Sequence, residues 1–239
     1  GQGGWPQHVI LTPNGAPFAA FIYMPNSTLN NYLNRLSKLW QQDSSTIIKL
    51  ARQSNPESHI ESIKPTTTPL TKSAFSQLLF KVVNQEKDDL SGGLKGTSKF
   101  PNAPLINTLL SMSDLPEEID EWLITTLDLM QSEHLYDHIH GGFYRYAVDP
   151  EWQIPHFEKM SYDSALLIKS YLLGGQRFDR DDYLETAKQT LSYLRTHLYN
   201  EKTGLYQSSQ SAIDEKGIEG GDYIFTRQQL ISRLDREEF

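Results

Sequence analysis

Four ionisable side chains stand close together in the segment 156–163, namely His156, Glu158, Lys159 and Asp163. A histidine side chain exchanges protons near neutral pH, so we interpret His156 as the candidate general acid or base and the other three as its catalytic neighbours. The spacing predicts a helix that begins at His156, on which Lys159 and Asp163 form an ion pair that positions the histidine. The alternative is that His156 only helps to start the helix and that the ion pair is exposed and contributes little stability.

Three residues shortly before this segment have side chains that carbohydrate sites use: Arg145, Tyr146 and Trp152. Aromatic rings stack on the apolar face of a pyranose, and a planar guanidinium donates several hydrogen bonds in fixed directions. We expect Trp152 to lie on an exposed loop between two prolines. The alternative is that this aromatic stretch packs beneath the helices, and for Phe143 and Tyr144 we favour that interpretation.

A group of histidines and one aspartate has the four-residue spacing that occurs in metal sites. The group consists of His134, Asp137, His138 and His140. The signal is weak. His156 and Glu158 also have the spacing of the zinc deaminase signature, but that signature requires a Cys-x-x-Cys pair, and the chain has no cysteine. The sequence therefore predicts no metal and no cofactor.

Composition excludes several classes of function. The 239 residues carry a formal net charge of −8, which argues against a nucleic-acid-binding surface. The absence of cysteine excludes disulfides and thiolate catalysis within these residues. No apolar run reaches the roughly 20 residues that a membrane-spanning helix requires, and no signal peptide is visible. We therefore expect a cytoplasmic protein that binds neither nucleic acid nor membrane.

The hydrophobic pattern predicts a short β-hairpin followed almost entirely by helices. Two strands at 9–12 and 18–24 flank a Pro-Asn-Gly turn, and a long helix follows from a cap at Ser27 or Thr28. A segment rich in Ser, Thr and Pro separates this part from the rest. Six further helices are predicted at 73–85, 105–112, 116–133, 156–173, 180–199 and 226–234.

Several short motifs along the chain occur together in one known family. They are Gly141-Gly142-Phe143, Arg145-Tyr146, Trp152, PHFEKM from Pro155, Tyr162-Asp163, GQGGWP at Gly1, LTPNGAPF from Leu11, Ser98-Lys99-Phe100-Pro101 and EGGDYIFT from Glu219. In type and order they resemble the signature of the spermatogenesis-associated thioredoxin-domain family. That family joins a thioredoxin-like domain to an (α/α)6 toroid similar to N-acylglucosamine 2-epimerases and six-hairpin glycosidases.

The resemblance implies a mainly α fold, in which a partial (α/α)6 toroid-like helical domain follows the C-terminal β-hairpin and helix of a thioredoxin-like fold. The implied domains are 1–55 for the thioredoxin-like half, 56–72 for a linker and 73–239 for the first part of the toroid. The half that would carry a redox pair is absent, and Trp5-Pro6 takes the place of the family's cis-proline. We therefore expect no thiol oxidoreductase activity and a chain that is a fragment or truncated member. Its two-stranded sheet has an exposed edge, which favours a homodimer.

For the helical domain the resemblance implies a sugar-sized pocket. Its lining combines the catalytic candidates His156, Glu158, Lys159 and Asp163 with the substrate-binding candidates Lys99, Arg145, Tyr146, Trp152 and Tyr162. The family's acidic run after Gly204-Leu205-Tyr206 is replaced here by serines and Ile213, so an intact glycoside hydrolase site is not expected. The resulting hypothesis is an epimerase-like or isomerase-like acid/base enzyme that acts on a small carbohydrate. The alternative is a non-enzymatic binding or scaffold module.

Overall fold

The computed structural model describes residues 7–53 and 71–234. By their internal contacts the residues divide into two compact units, Gly1–Pro69 and Leu70–Phe239, which we call the hairpin unit and the helical unit. Three segments that the sequence analysis used lie outside the described residues: the opening residues 1–6 with Trp5-Pro6, residues 56–70 of the predicted linker, and residues 235–239.

The hairpin unit contains strands β1 (His8–Leu11) and β2 (Pro17–Phe21) and helix α1 (Asn26–Gln53). The strands pair antiparallel, with His8 opposite Phe21. Gly15 adopts a φ of +84° in the connecting turn, a conformation that glycine tolerates without strain. The predicted hairpin and the predicted long helix are both confirmed.

Helix α1 is interrupted at Asp43, whose φ of −156° and ψ of 72° are not helical. The Asp43 carboxylate accepts hydrogen bonds from the Thr46 backbone N–H at 3.0 Å and from the Ser45 hydroxyl at 2.7 Å, as at a helix N-terminus. Hydrogen bonds from Thr46 and Ser45 lower the pKa of Asp43 to about 2. The helix is therefore two segments, and Asp43 caps the second one.

The described part of the helical unit contains six α-helices. They are α2 (Lys72–Glu86), α3 (Ala103–Leu110), α4 (Glu117–Ser132), α5 (Ser161–Phe178), α6 (Asp181–Tyr193) and α7 (Arg227–Arg233). A π-helical turn, Leu194–Leu198, continues α6. Helix α5 packs against both α3 and α6, and the core between the helices includes Leu109, Ile119, Leu123, Leu127, Leu167 and Tyr171. The described part of the chain is thus mainly α, and five of the six helices lie where the periodicity predicts them.

The prediction of a helix beginning at His156 is wrong. Helix α5 begins at Ser161, and the preceding residues are extended in strands β4 (Pro155–His156) and β5 (Lys159–Met160). Strand β4 pairs with β3 (Tyr146–Ala147). The partners of these backbone hydrogen bonds lie outside the segment, so helical spacing within it does not reveal them.

The remaining short strands connect the loops of the helical unit. They are β6 (Tyr199–Asn200), β7 (Leu205–Tyr206) and β8 (Ser209–Gln210). Strand β8 pairs antiparallel with β5, so the loop after the π-helical turn is held beside the start of α5. Among the helices of the described residues, none combines the length and the apolar character needed to cross a membrane.

Candidate functional site

Lys99, predicted to line the pocket, is buried and bound by oxygens of the chain itself. Its ammonium donates to Asp88 Oδ2 at 2.8 Å, to the Gly92 carbonyl at 2.6 Å and to the Leu94 carbonyl at 3.1 Å. An ammonium has three N–H donors, and these three oxygens occupy all of them. In this structure Lys99 holds the loop 88–94 together and has no donor left for a ligand.

Lys159 is buried as well, and its partner differs from the predicted one. Its ammonium donates to Asp137 Oδ2 at 2.6 Å and to the Gly141 carbonyl at 3.0 Å. It also lies over the rings of Tyr144, Tyr193 and Tyr223, at 4.8, 4.1 and 5.5 Å from their centroids. The predicted ion pair of Lys159 with Asp163 is therefore wrong, because β5 is extended and directs Lys159 into the interior.

Backbone hydrogen bonds to Asp137 strengthen its ion pair with Lys159. Asp137 Oδ1 accepts from the backbone N–H groups of Ile139 at 2.9 Å and His140 at 3.0 Å. Burial acts to raise the pKa of Asp137, but the hydrogen bonds from Lys159, His140 and Ile139 outweigh it, so the pKa lies below its usual value. Asp137 is thus an ionised carboxylate that anchors the loop leading to Gly142.

Trp152 does not lie on an exposed loop, and that expectation is wrong. Its side chain is fully buried, and its indole N–H donates to the Ser91 carbonyl at 2.7 Å. The backbone of Trp152 adopts a φ of +64°, a conformation that non-glycine residues rarely adopt. In this structure both ring faces are covered by protein, so Trp152 packs the loop instead of presenting a stacking surface.

The other six predicted residues lie near one another on one surface, joined by a seventh that was not predicted. We call this set the His156 cluster, and it comprises Arg145, Tyr146, His156, Glu158, Tyr162, Asp163 and Glu219. Arg145 Nη1 lies 2.7 Å from Glu158 Oε2, which lies 3.9 Å from His156 Nε2. The Glu158 carboxylate, and after it the neighbouring Tyr162, raise the pKa of Arg145. The cluster therefore combines an imidazole, a guanidinium and several carboxylates.

Two neighbours hold the imidazole of His156. Its Nδ1 lies 2.7 Å from Glu219 Oε1, and its ring stacks on Tyr146 with centroids 4.9 Å apart. Tyr146 also stacks on Phe100 at 4.6 Å, so its ring contacts both Phe100 and the imidazole. Sequence reasoning missed Glu219 because it is 63 residues away from His156. The one signal for it was the motif EGGDYIFT, which begins at Glu219.

The carboxyl group of Asp163, within the cluster, has a pKa well above its normal value. Burial raises its pKa to about 6, with Arg145 opposing the shift and Glu158 adding to it. The carboxyl group of Asp163 makes no hydrogen bond with any residue that the structure describes. A carboxyl group of this kind can exchange a proton close to neutral pH, as a general acid or base must.

The residues with metal-like spacing, His134, Asp137, His138 and His140, do not gather as a metal-binding group in the described part of the chain. Over residues 7–53 and 71–234, no three histidine, cysteine, aspartate or glutamate side chains are placed to hold a metal ion. Asp137, the carboxylate of that group, is instead the buried partner of Lys159.

Comparison with known proteins identifies similar chains, although no family model matches. The chain is 27% identical to spermatogenesis-associated protein 20 of Homo sapiens over 248 aligned residues, and equally to the Rattus norvegicus protein. It is 31% identical over 187 residues to an uncharacterized protein of Caenorhabditis elegans, covering 72% of this chain and 25% of that protein. The first two matches cover 95% of this chain, which spans 31% of the length of those relatives. They confirm the similarity to spermatogenesis-associated proteins that the motifs indicate.

Two solved structures with partial similarity are sugar epimerases. One is a sugar epimerase from a ruminal bacterium, with a TM-score of 0.47 and 18% identity, covering 56% of this chain and 37% of that one. The other is cellobiose 2-epimerase from Bacillus thermoamylovorans, with a TM-score of 0.47 and 15% identity, covering 58% of this chain and 41% of that one.

Proposed function

We propose that the helical unit binds a small carbohydrate at the His156 cluster and catalyses acid/base chemistry on it, of the kind that an epimerase or isomerase performs. The observation that carries the proposal is the placement of His156. Glu219 orients its imidazole from one side at 2.7 Å, and Tyr146 supports its ring. A base whose ring is fixed by a carboxylate is the arrangement that general base catalysis uses.

The reaction that fits this set of groups is proton transfer at the carbon next to the carbonyl of an open-chain sugar. His156 takes the proton as the C–H bond breaks, and the electron pair moves onto the carbonyl oxygen. Arg145 donates hydrogen bonds to that oxygen, and Asp163, with its pKa of about 6, supplies a proton to the other face of the carbon. The product is the epimer, and no oxidant or reductant is required.

The aromatic residues of the cluster have different parts in this proposal. Tyr162 is 49% exposed and offers a ring to the apolar face of the sugar. Tyr146 positions the imidazole, because its ring stacks on both Phe100 and His156. Lys99, Lys159 and Trp152 support the loops from beneath.

Deuterium exchange tests the proposal without knowledge of the product. The chain is incubated in D2O with glucose, mannose or cellobiose, and incorporation of deuterium at C2 is followed by NMR. We expect exchange that His156→Gln reduces about 100-fold or more, with a smaller reduction for Glu219→Gln. His197→Gln, at an exposed histidine outside the cluster, is the control. The proposal fails if no sugar exchanges deuterium, or if His156→Gln exchanges as fast as the unaltered chain.

The second candidate is a non-enzymatic binding module in which the hairpin unit associates with a second copy of the chain. The observation that favours it is an apolar groove of about 600 Å³ between β2 and α1. Its lining is Pro17, Phe18, Ala19, Ala20, Leu36, Leu39, Gln42, Asp43, Thr46, Ile47, Leu50 and Ala51. Each strand of the two-stranded sheet also has one edge that no strand of the described residues pairs.

Light scattering after size exclusion, over a range of concentrations, tests this second candidate. We expect a dimer fraction that rises with concentration and that Leu50→Glu abolishes, because Leu50 is 56% exposed and lines the groove. Leu90→Glu, at a 90% exposed leucine of the helical unit, is the control. A chain that stays monomeric at every concentration would rule out this association.

A further inference from the structure

The helical unit contains a concave site apart from the His156 cluster, which we call the aromatic pocket. Its volume is about 330 Å³, at the lower end of the range for small-molecule sites. Its lining is His134, Tyr136, Asp137, His138, Ile139, Tyr144, Gln153, Pro155, Phe157 and Tyr223. The rings of Phe157 and Tyr223 are stacked at 5.5 Å, and Tyr144 meets both of them edge-on.

The aromatic pocket is distinct from the His156 cluster, although both use the extended segment 155–159. Side chains along an extended backbone point alternately to opposite sides. Pro155 and Phe157 line the pocket, whereas His156 and Glu158 belong to the cluster. A ligand in the pocket therefore lies on the opposite side of this segment from His156. Its binding does not depend on the His156 side chain.

The ionisable side chains of the pocket already have partners within the chain: His134 contacts the Gln153 carbonyl at 2.8 Å and His138 the Glu133 carbonyl at 3.1 Å. Asp137 is the one carboxylate among the described lining residues, and Lys159 neutralises it at 2.6 Å. Two backbone N–H groups occupy the other oxygen of Asp137. A charged ligand would have to give up its hydration without gaining an opposite charge, which is costly. The pocket therefore favours an uncharged ligand.

The hydroxyl of Tyr144 is the feature that points to a ligand. Tyr144 is only 5% exposed and lines the pocket, yet its hydroxyl makes no hydrogen bond with any described residue. Tyr223 accepts a hydrogen bond from Gln210 Nε2 at 3.0 Å but donates its own proton to no described partner. The Tyr144 hydroxyl is not among the fully buried unsatisfied atoms of the described residues, so solvent reaches it and its proton is available to an acceptor on a ligand.

Both hydroxyls keep their protons over the physiological pH range. Burial, and after it the charge of Asp137, raise the pKa of Tyr223 to about 12. Burial also raises the pKa of Tyr144. The two tyrosines therefore present donors to the pocket, and a ligand that bears hydroxyl oxygens supplies the acceptors.

We propose that the aromatic pocket binds an uncharged, hydroxyl-bearing ring of monosaccharide size. The aromatic walls cover the apolar face of the ring, and its oxygens accept hydrogen bonds from Tyr144 and Tyr223. The proposal does not depend on catalysis at the His156 cluster. The site is a second carbohydrate-binding position in the same unit.

Methyl β-D-glucopyranoside is the probe, because its blocked anomeric carbon cannot open and so cannot be epimerised. Binding to the whole chain is measured by saturation-transfer NMR and titration. Tyr144→Phe removes one hydroxyl and keeps the ring, so we expect about 5- to 10-fold weaker binding. Its melting temperature should not fall, because the hydroxyl has no partner to lose. Tyr206→Phe, at an exposed tyrosine outside the pocket, should bind like the unaltered chain.

A second variant blocks the pocket without disturbing the core. Ile139 is 78% exposed and lines the pocket, so Ile139→Trp should reduce binding at least 10-fold. Ile231→Trp, at an exposed site on α7, is the matched control. Glucuronate and glucosamine, which carry charges, should bind at least 10-fold more weakly than the neutral probe.

Three results would overturn the proposal. They are absence of binding by the neutral glycoside, unchanged binding in both Tyr144→Phe and Ile139→Trp, and equal binding of the charged sugars. His156→Gln separates this proposal from the proposed function. It should leave binding of the glycoside within twofold of the unaltered chain, and a loss confined to His156→Gln would place the ligand at the His156 cluster instead.

Discussion

The ammonium of Lys159 lies 2.6 Å from Oδ2 of Asp137, and both side chains are almost completely shielded from solvent. The two residues are 22 positions apart in sequence, so the contact joins the loop after α4 to strand β5. Strand β5 in turn pairs with β8, and the chain between β8 and α7 carries Glu219 and Tyr223. Asp137 lines the aromatic pocket, and Lys159 directly follows Glu158 of the His156 cluster in the chain, so the buried pair is built from residues of one site and next to the other.

Removing one partner of that pair should strongly destabilise the helical unit. Lys159→Met leaves Asp137 buried without its counter-charge, for which we expect a loss of about 3–5 kcal/mol in the free energy of unfolding. Urea unfolding followed by near-UV circular dichroism measures the loss, with Lys169→Met at an exposed position of α5 as control. Adding Asp137→Asn to Lys159→Met should recover part of the loss. If Lys159→Met alone lowers the free energy of unfolding by less than about 1 kcal/mol, the pair does not stabilise the helical unit as expected.

Gly142 should not tolerate even a methyl group. A Cβ at this position would lie 2.7 Å from Cδ1 of Tyr193, and the residue has a φ of +78°. We expect Gly142→Ala to lower the free energy of unfolding by about 2–5 kcal/mol, combining the strain of a left-handed backbone with a clash.

Gly204→Ala separates these two causes. Gly204 has a φ of +69°, but no atom lies within 4 Å of the position that a methyl group would take, so only the backbone strain of about 1–2 kcal/mol should remain. Equal losses for the two variants in urea unfolding would show that Tyr193 moves aside without cost.

Asp163 should make the helical unit less stable as the pH rises from about 4 to 6. Its pKa is about 6 in the folded chain against 3.8 normally, so the folded state holds the proton more tightly. The stabilisation that comes from the proton bound to Asp163 is complete below the normal pKa of 3.8. It is lost as the pH rises through the folded-state pKa of about 6. Asp163→Asn should therefore stabilise the chain by about 1–2 kcal/mol at pH 7 and by almost nothing at pH 4. A constant difference across this range, measured by urea unfolding, would show that the carboxyl is not perturbed.

Asp149 should show the opposite dependence on pH. Its carboxylate accepts hydrogen bonds from the backbone N–H groups of Glu151, Gln153 and Ile154 at 2.8, 3.1 and 2.5 Å. Burial acts to raise its pKa, but these hydrogen bonds outweigh it and the pKa is lowered. Its stabilising contribution is present above about pH 4 and is lost as the pH falls through the lower, folded-state pKa.

Asp149→Asn should accordingly cost about 1–2 kcal/mol at pH 7, since the amide accepts from backbone N–H groups less strongly than a carboxylate. The cost should shrink below pH 4. Carboxyl ¹³C chemical shifts followed from pH 2 to 8 measure Asp149 and Asp163 in one experiment. Identical midpoints for the two residues would contradict both pH predictions.

The helices and the hairpin could be predicted because their signals are local. Apolar residues three and four apart define α2, α4 and α6, and a Pro-Asn-Gly turn defines the hairpin. The extended segment 155–160 could not be predicted in this way. Its apolar spacing continues that of α5, and only its pairing with β3 and β8 shows that the helix starts later.

The sequence by itself determined the mainly helical class, the absence of thiol chemistry in these residues and six of the groups that meet at the His156 cluster. Those properties depend on residue types and on near neighbours. The tertiary structure decided which of the cationic and aromatic residues are buried. Lys99, Lys159 and Trp152 have the side chains of a binding site, but Asp88, Asp137 and the Ser91 carbonyl bind them in the interior. Charges and indoles become buried only where distant partners satisfy them, and those partners meet only when the chain is folded.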